Sequence, residues 1–106
     1  MKRGEIWWVN FDPSVGGETR KERPAVIISN NAANRFLSRV QVIPLTSSID
    51  RLYPSEAYVT FEGRQSKAMA DQLTTVSKKR QRNRAGKVSL AEMRHIAEAI
   101  SIQLEL

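Results

Sequence analysis

The 106-residue sequence predicts an α+β fold that is mostly β: short strands in an antiparallel sheet curled into a small barrel, followed by one C-terminal α-helix. Three observations carry that reading. Short segments of alternating or continuous apolar residues recur between turn-rich stretches from Glu5 to Val76, helical periodicity is confined to the end of the chain, and little helix falls among the strands. One domain, spanning 1–106, is expected. A chain of this size buries roughly 60 to 70% of its unfolded surface and holds a core without disulfides.

The first strand is read over residues 5–11, where Trp7, Val9 and Phe11 share one face and Ile6, Trp8 and Asn10 the other, so both faces are at least partly covered. Residues 12–22 collect Pro13, Gly16, Gly17 and short polar side chains and read as a long polar loop, which in a compact domain is usually functional or mobile. Arg23-Pro24 then opens the apolar run Ala25-Val26-Ile27-Ile28, and a buried strand is expected over Ala25 to Ser29. Pro24 biases the residue before it toward extended conformations, so Arg23 is held where loop becomes strand. That placement suits a phosphate, which a guanidinium grips through two oxygens at once; pairing with a surface Glu is the alternative.

Asn30 to Phe36 can form a helical turn. Val40 to Thr46 reads as a third strand whose internal Pro44 implies an edge position or a bulge, either of which re-aims Thr46, Ser47 and Ser48. Residues 56–61 alternate as a fourth strand, a turn at Gly63 leads to a fifth over Lys67 to Gln72, and Leu73 to Val76 makes a short sixth. Ser89-Leu90-Ala91-Glu92 is a capping-box pattern, and Leu90, Met93, Ala97, Ile100 and Leu104 are expected to form the buried stripe of the helix it starts. His95 projects to the opposite face as an exposed residue.

Charge narrows the partners. The net charge is +6 and the pI about 10.2, which suits a polyanion. Lys78, Lys79, Arg80, Arg82, Arg84 and Lys87 fall in one ten-residue run without an acid, while the rest of the chain is balanced. The run reads as a solvated loop or as auxiliary phosphate contact. With no Cys and one His, a Cys/His zinc site, a thiolate nucleophile and a two-histidine pair within one subunit are all excluded. The segment before Asp12 leaves no room for a secretory apolar region or a membrane span, so a cytoplasmic protein is expected.

Read in order, Arg3-Gly4-Glu5-Ile6-Trp7, Phe11-Asp12-Pro13, Gly17-Glu18, Arg23-Pro24-Ala25-Val26-Ile27-Ile28, Pro44-Leu45-Thr46-Ser47 and Asp71-Gln72-Leu73 resemble the MazF/PemK family of toxin endoribonucleases over essentially the whole chain. Each piece is weak alone; six in order and spacing are a strong joint signal. The resemblance implies an SH3-like barrel of the MazF/Kid/CcdB type with a C-terminal helix. It further implies a homodimer that cleaves single-stranded RNA at short sequences with neither metal nor cofactor, and a cognate MazE-like antitoxin that lays a flexible segment across the RNA path. By the same resemblance the catalytic arginine falls on Arg23 and the strand-ending threonine on Thr46, with Glu18 and Gln72 matching an acidic loop residue and a later glutamine. Thr19, Arg20, Lys21 and Ser47 join them as supporting or RNA-binding residues. The Kid-like branch carries a histidine where this chain has Gly17 and an arginine where it has Met69, so Asp71 stands without those companions and a structural hydrogen-bonding role stays open for it.

Two other readings share the fold or the charge. Gyrase-poisoning toxins of the CcdB type end in a Trp-Gly-Ile segment, whereas this chain ends Gln103-Leu104-Glu105-Leu106. A basic RNA-binding module without catalysis would need the loop charges but not Arg23 and Thr46 together at strand ends.

Overall fold

The computed structural model describes residues 1–12, 16 and 21–106. Seven strands are described: β1 (Glu5–Asn10), β2 (Glu22–Ile27), β3 (Arg39–Thr46), β4 (Glu56–Phe61), β5 (Arg64–Met69), β6 (Thr74–Ser77) and β7 (Gln81–Lys87). Two α-helices join them, α1 (Asn31–Phe36) and α2 (Leu90–Leu104), with short 3₁₀ turns at Ala70–Gln72 and Lys78–Arg80. The sheet runs β4-β5-β3-β2-β1-β7 with β6 paired to β3, every described pairing antiparallel, and it curls into a half-barrel.

Strand alternation divides the apolar residues between two clusters. Ile6, Val26, Ile43, Leu45, Ala57, Val59 and Ala68 point to the side covered by α2, where they meet Val88, Ile96 and Ala99. Val9, Ala25, Ile27, Val40, Val42 and Val76 form the second cluster on the other face, with Trp7 and Phe11 packed against it. β1 therefore serves both sides, as its sequence predicts, and Trp8 meets Phe61 edge-on at 6.0 Å. The hairpin from β4 to β5 turns on two residues, Glu62 (φ 50°) and Gly63 (φ 76°). Both lie in the left-handed region that a two-residue hairpin of right-twisted strands requires, and glycine occupies it without a Cβ penalty.

Four expectations need correction. β2 begins at Glu22, so Arg23 and Pro24 are inside the strand and pair with Val9 and Trp8. β3 is central instead of an edge: it pairs β2 along one side, and along the other it pairs β6 through Val42 and then β5 from Leu45. Pro44, which has no N–H to give, falls where β3 leaves one partner for the other, and the β2–β3 register runs through it as Ala25↔Pro44. The fifth strand lies earlier than expected, over Arg64–Met69, and Ala70–Gln72 turns as 3₁₀. The basic run is not a loop, because its last seven residues are β7, paired to β1 with register shifts on both sides of Trp7.

The buried face of α2 also differs from the expected stripe. Ile96 and Ala99 are buried, with Met93 and Ile100 packed partly against the same cluster, while Leu90 and Leu104 are 80% and 54% exposed. The helix packs on β4 and the 70–72 turn through its middle, so its ends overhang the sheet. Its start follows the sequence: Ser89 Oγ accepts from the Glu92 amide at 3.1 Å and Glu92 Oε1 accepts from the Ser89 amide at 2.8 Å. The second Glu92 oxygen accepts from the Thr60 amide at 2.6 Å, fastening the cap to β4. His95 is exposed. No helix among the described residues is long and apolar enough to cross a membrane.

Candidate functional site

Register brings the two predicted catalytic residues together. The β2–β3 ladder pairs Ile27↔Val42, Val26↔Ile43 and Ala25↔Pro44, and that register, if carried two steps past its last pair, would put Arg23 level with Thr46. Thr46 in turn pairs with Lys67 of β5, Lys67 with Tyr58 of β4, and on the other side Arg23 pairs with Val9 of β1. Residues directly opposite share a sheet face about 5 Å apart, so Val9 with Arg23 and Thr46 with Lys67 and Tyr58 make two short stretches that the extended β2–β3 register aligns into one transverse row. The row lies on the face away from α2, at the open end of the second apolar cluster. Buried Ala25 and Pro44 are one row inward, and exposed Lys21 and Ser47 lie just beyond it.

Arg23 is half-buried, and its guanidinium has no hydrogen bond or ion pair among the described residues. No Glu among the described residues pairs with it. An unpartnered cation held on a strand beside buried apolar residues is poised for an anion, since less water competes for it than at an exposed tip. Thr46 is half-buried, and its hydroxyl oxygen accepts from the Ser48 amide at 3.2 Å. That contact uses a lone pair and leaves the hydroxyl proton to donate.

Lys67 was not foreseen as part of this row. It is only 6% exposed. Its Nζ lies 2.9 Å from Glu56 Oε1 and donates to the Arg51 carbonyl at 2.6 Å. A lysine two positions from Met69 in an apolar-flanked strand, with Glu56 opposite Met69, is the signal that register makes legible. Lys67 consequently ties the segment from Ser47 to Ser55 to the sheet next to Thr46.

The first long loop is cinched at its base. The Phe11 amide donates to the Lys21 carbonyl at 2.8 Å, and the Lys21 amide to Asp12 Oδ1 at 2.8 Å. Arg80 Nη1 donates to the Asn10 carbonyl at 3.2 Å and to the Asp12 carbonyl. Glu18, Thr19, Arg20 and the Gly17 position lie outside the described residues. Gln72 is half-buried at the end of the 3₁₀ turn that packs on β3, and Asp71 beside it is exposed.

The basic run is divided in use. Lys78 Nζ donates to the Asn34 carbonyl, Arg80 clamps the loop base and Arg84 pairs with Glu5 at 3.2 Å, while Lys79, Arg82 and Lys87 are exposed. Burial alone would raise the Glu5 pKa. Hydrogen bonds from the Lys2 amide and the Trp7 indole, with the charges of Arg84 and the N-terminus, outweigh it and hold the carboxyl below its ordinary value. Gln81, opposite Val9, has both side-chain amide atoms buried without a hydrogen-bond partner among the described residues. Among the described residues no three His, Cys, Asp or Glu side chains cluster as metal ligands.

A curled antiparallel half-barrel sheet with a C-terminal helix, bearing near the start of β2 an arginine that is unpaired among the described residues, defines the class of the fold. The chain belongs to the PemK-like, MazF-like toxins of type II toxin-antitoxin systems, whose family model matches residues 2–104. It is 38% identical over 115 residues to endoribonuclease MazF9 of Mycobacterium tuberculosis, covering all of this chain and 98% of that protein. It is 30% identical over 100 residues to the endoribonuclease toxin MazF of Escherichia coli K12, covering 93% and 89%. Among solved structures, MazF from Deinococcus radiodurans superposes with a TM-score of 0.88 at 23% identity, over 100% of this chain and 97% of that one. A mycobacterial endoribonuclease solved with its cognate antitoxin superposes with a TM-score of 0.84 at 25% identity, over 100% and 96%. The gyrase-binding alternative finds no support in these matches.

Proposed function

We propose that this chain is the toxin of a toxin-antitoxin pair and cleaves single-stranded RNA at short sequences without a metal ion. What supports the reading is the Arg23 guanidinium, without a partner among the described residues, on a strand whose register extends toward the donor hydroxyl of Thr46. The ribose 2′-oxygen attacks the adjacent phosphorus, the bond to the 5′-oxygen breaks, the 2′-proton passes to a base and the 5′-oxygen takes up a proton. The products carry a 2′,3′-cyclic phosphate and a 5′-hydroxyl. Negative charge added to the phosphoryl oxygens peaks in the five-coordinate transition state, where a fixed cation counts most. Arg23 supplies it. A guanidinium gives up a proton reluctantly, so its first role is electrostatic and not proton donation. Thr46 donates to a non-bridging oxygen. Glu18 accepts a proton or a hydrogen bond from a base edge, and Lys21, Arg20, Thr19, Ser47 and Gln72 line the RNA path.

The curated relatives' endoribonuclease names and the neighbour solved with an antitoxin support the same reading. We further infer one toxin domain over 1–106, acting as a cytoplasmic homodimer held in check by a MazE-like antitoxin. A substrate carrying a single 2′-deoxyribose at the cut tests the chemistry. Cleavage stops there and the other ends carry cyclic phosphate; continued cutting at the deoxy position would refute 2′-hydroxyl attack.

A further inference from the structure

We propose that Tyr53 is a stacking platform for a nucleobase of single-stranded RNA, held beside Thr46 by the buried Lys67; this rests on the RNA-cleaving reading above. Tyr53 sits in the segment joining β3 to β4 and is 52% exposed. Exposed though it is, it is fixed at both backbone ends. Its amide donates to Glu56 Oε1 at 2.9 Å, and its carbonyl accepts from the Glu56 amide at 2.9 Å. The ring has Lys67 Nζ 5.7 Å from its centroid and the Arg51 guanidinium carbon at 5.9 Å. Lys67 is the residue paired with Thr46, so the ring is tied to the catalytic row through one side chain.

Such an arrangement is made for a ligand with a flat face. Single-stranded RNA is bound through unstacked bases laid on aromatic rings and guanidinium planes, with backbone phosphates on nearby cations. A ring whose backbone is already fixed and which has two cations near it costs less further entropy to engage than one on a free loop. Lys67 is buried and belongs to the protein side of the ring, whereas exposed Arg51 is free to pass to a flanking phosphate or to stack in its turn. Phe36 with Arg35 at 5.6 Å makes a similar pair, but it adjoins the opposite end of β3 from Thr46.

The test uses an RNA containing the cut sequence mapped with the wild-type protein, 2′-O-methylated at the cut nucleotide so that it binds intact. Its affinity is measured by fluorescence anisotropy for wild type, Tyr53→Ala, Tyr53→Leu and Tyr53→Phe at 50 and 200 mM salt. Loss of the ring face in the Ala and Leu variants weakens binding roughly tenfold by the same factor at both salts, and the Phe variant stays within about twofold of wild type. Wild-type affinity in the Ala variant would overturn the proposal. So would a Phe variant as weak as Ala, which would point to the hydroxyl, or a loss that shrinks with salt, which would point to charge. Failure of the wild type to cut any RNA would instead remove the activity reading, and this inference with it.

Discussion

Lys67→Met is expected to be among the costliest single changes in this fold. Lys67 and Glu56 side chains are 8% and 10% exposed and 2.9 Å apart, so they form a buried pair and not a surface one. Removing one partner of a buried pair leaves the other charge without compensation and costs about 3 to 5 kcal/mol, against a total stability of about 5 to 15 kcal/mol for a domain. The Arg51 carbonyl loses a donor in the same step. For a chain of this length the loss lowers the Tm by more than about 10 °C. Glu56→Gln in the same molecule removes the stranded charge while keeping an oxygen for the Tyr53 amide, so the double variant recovers a substantial part of the loss. Urea unfolding followed by circular dichroism measures wild type, each single variant and the double variant. A single-variant cost below about 1 kcal/mol, or a double variant as unstable as the sum of the singles, would show that the pair is solvated and that the segment after Thr46 is not anchored by Lys67.

Three further outcomes follow from particular contacts. Thr46→Val keeps the β-branched shape but removes the donor, so single-turnover cleavage falls on the order of a hundredfold while the melting curve barely moves; unchanged cleavage would remove Thr46 from the site. Gln81→Leu relieves a buried amide that has no partner among the described residues and raises stability by about 1 to 3 kcal/mol in urea titrations, whereas destabilisation would show that the amide is bonded in solution. Glu5 has its folded pKa below its ordinary 4.5, so its contribution to stability is complete above that value and is lost as pH falls through the folded pKa. The stability gap between wild type and Glu5→Gln is therefore constant near neutrality and closes below pH 4.5; a gap that grows on acidification would contradict the assignment.

Much of this was legible in the chain because local rules act alone there. The alternation of residues 5–11, the capping box at Ser89 and the Gly63 turn require no knowledge of distant partners. Pro44 signals an edge position or a bulge in the sequence, and β3 is not an edge, because the cost of the proline depends on which neighbour faces the missing N–H, and that neighbour changes along β3. β7 is hidden by its charges: on an outer strand of the sheet path, Arg82 projects into water and Arg84 reaches Glu5 while the backbone pairs with β1. The α2 stripe was drawn one column off, since sequence alone does not reveal that the helix rests on the sheet only through its middle. Arg23 and Thr46 were each visible as strand-end residues, but their meeting depends on register, and so does the addition of Lys67 to the row. The loop positions Glu18, Thr19 and Arg20 rest on family resemblance.

We propose that Arg23 stabilises the transition state of a metal-independent RNA cleavage. Incubating the purified protein and its Arg23→Ala variant with a long single-stranded RNA in EDTA, with every new end mapped, tests it directly. Discrete cuts by the wild type that fall about a hundredfold or more in a variant with an unaltered circular dichroism spectrum are the predicted result. Cutting at a near-normal rate by the variant, or RNA left intact by excess wild type in two unrelated sequences, would contradict it.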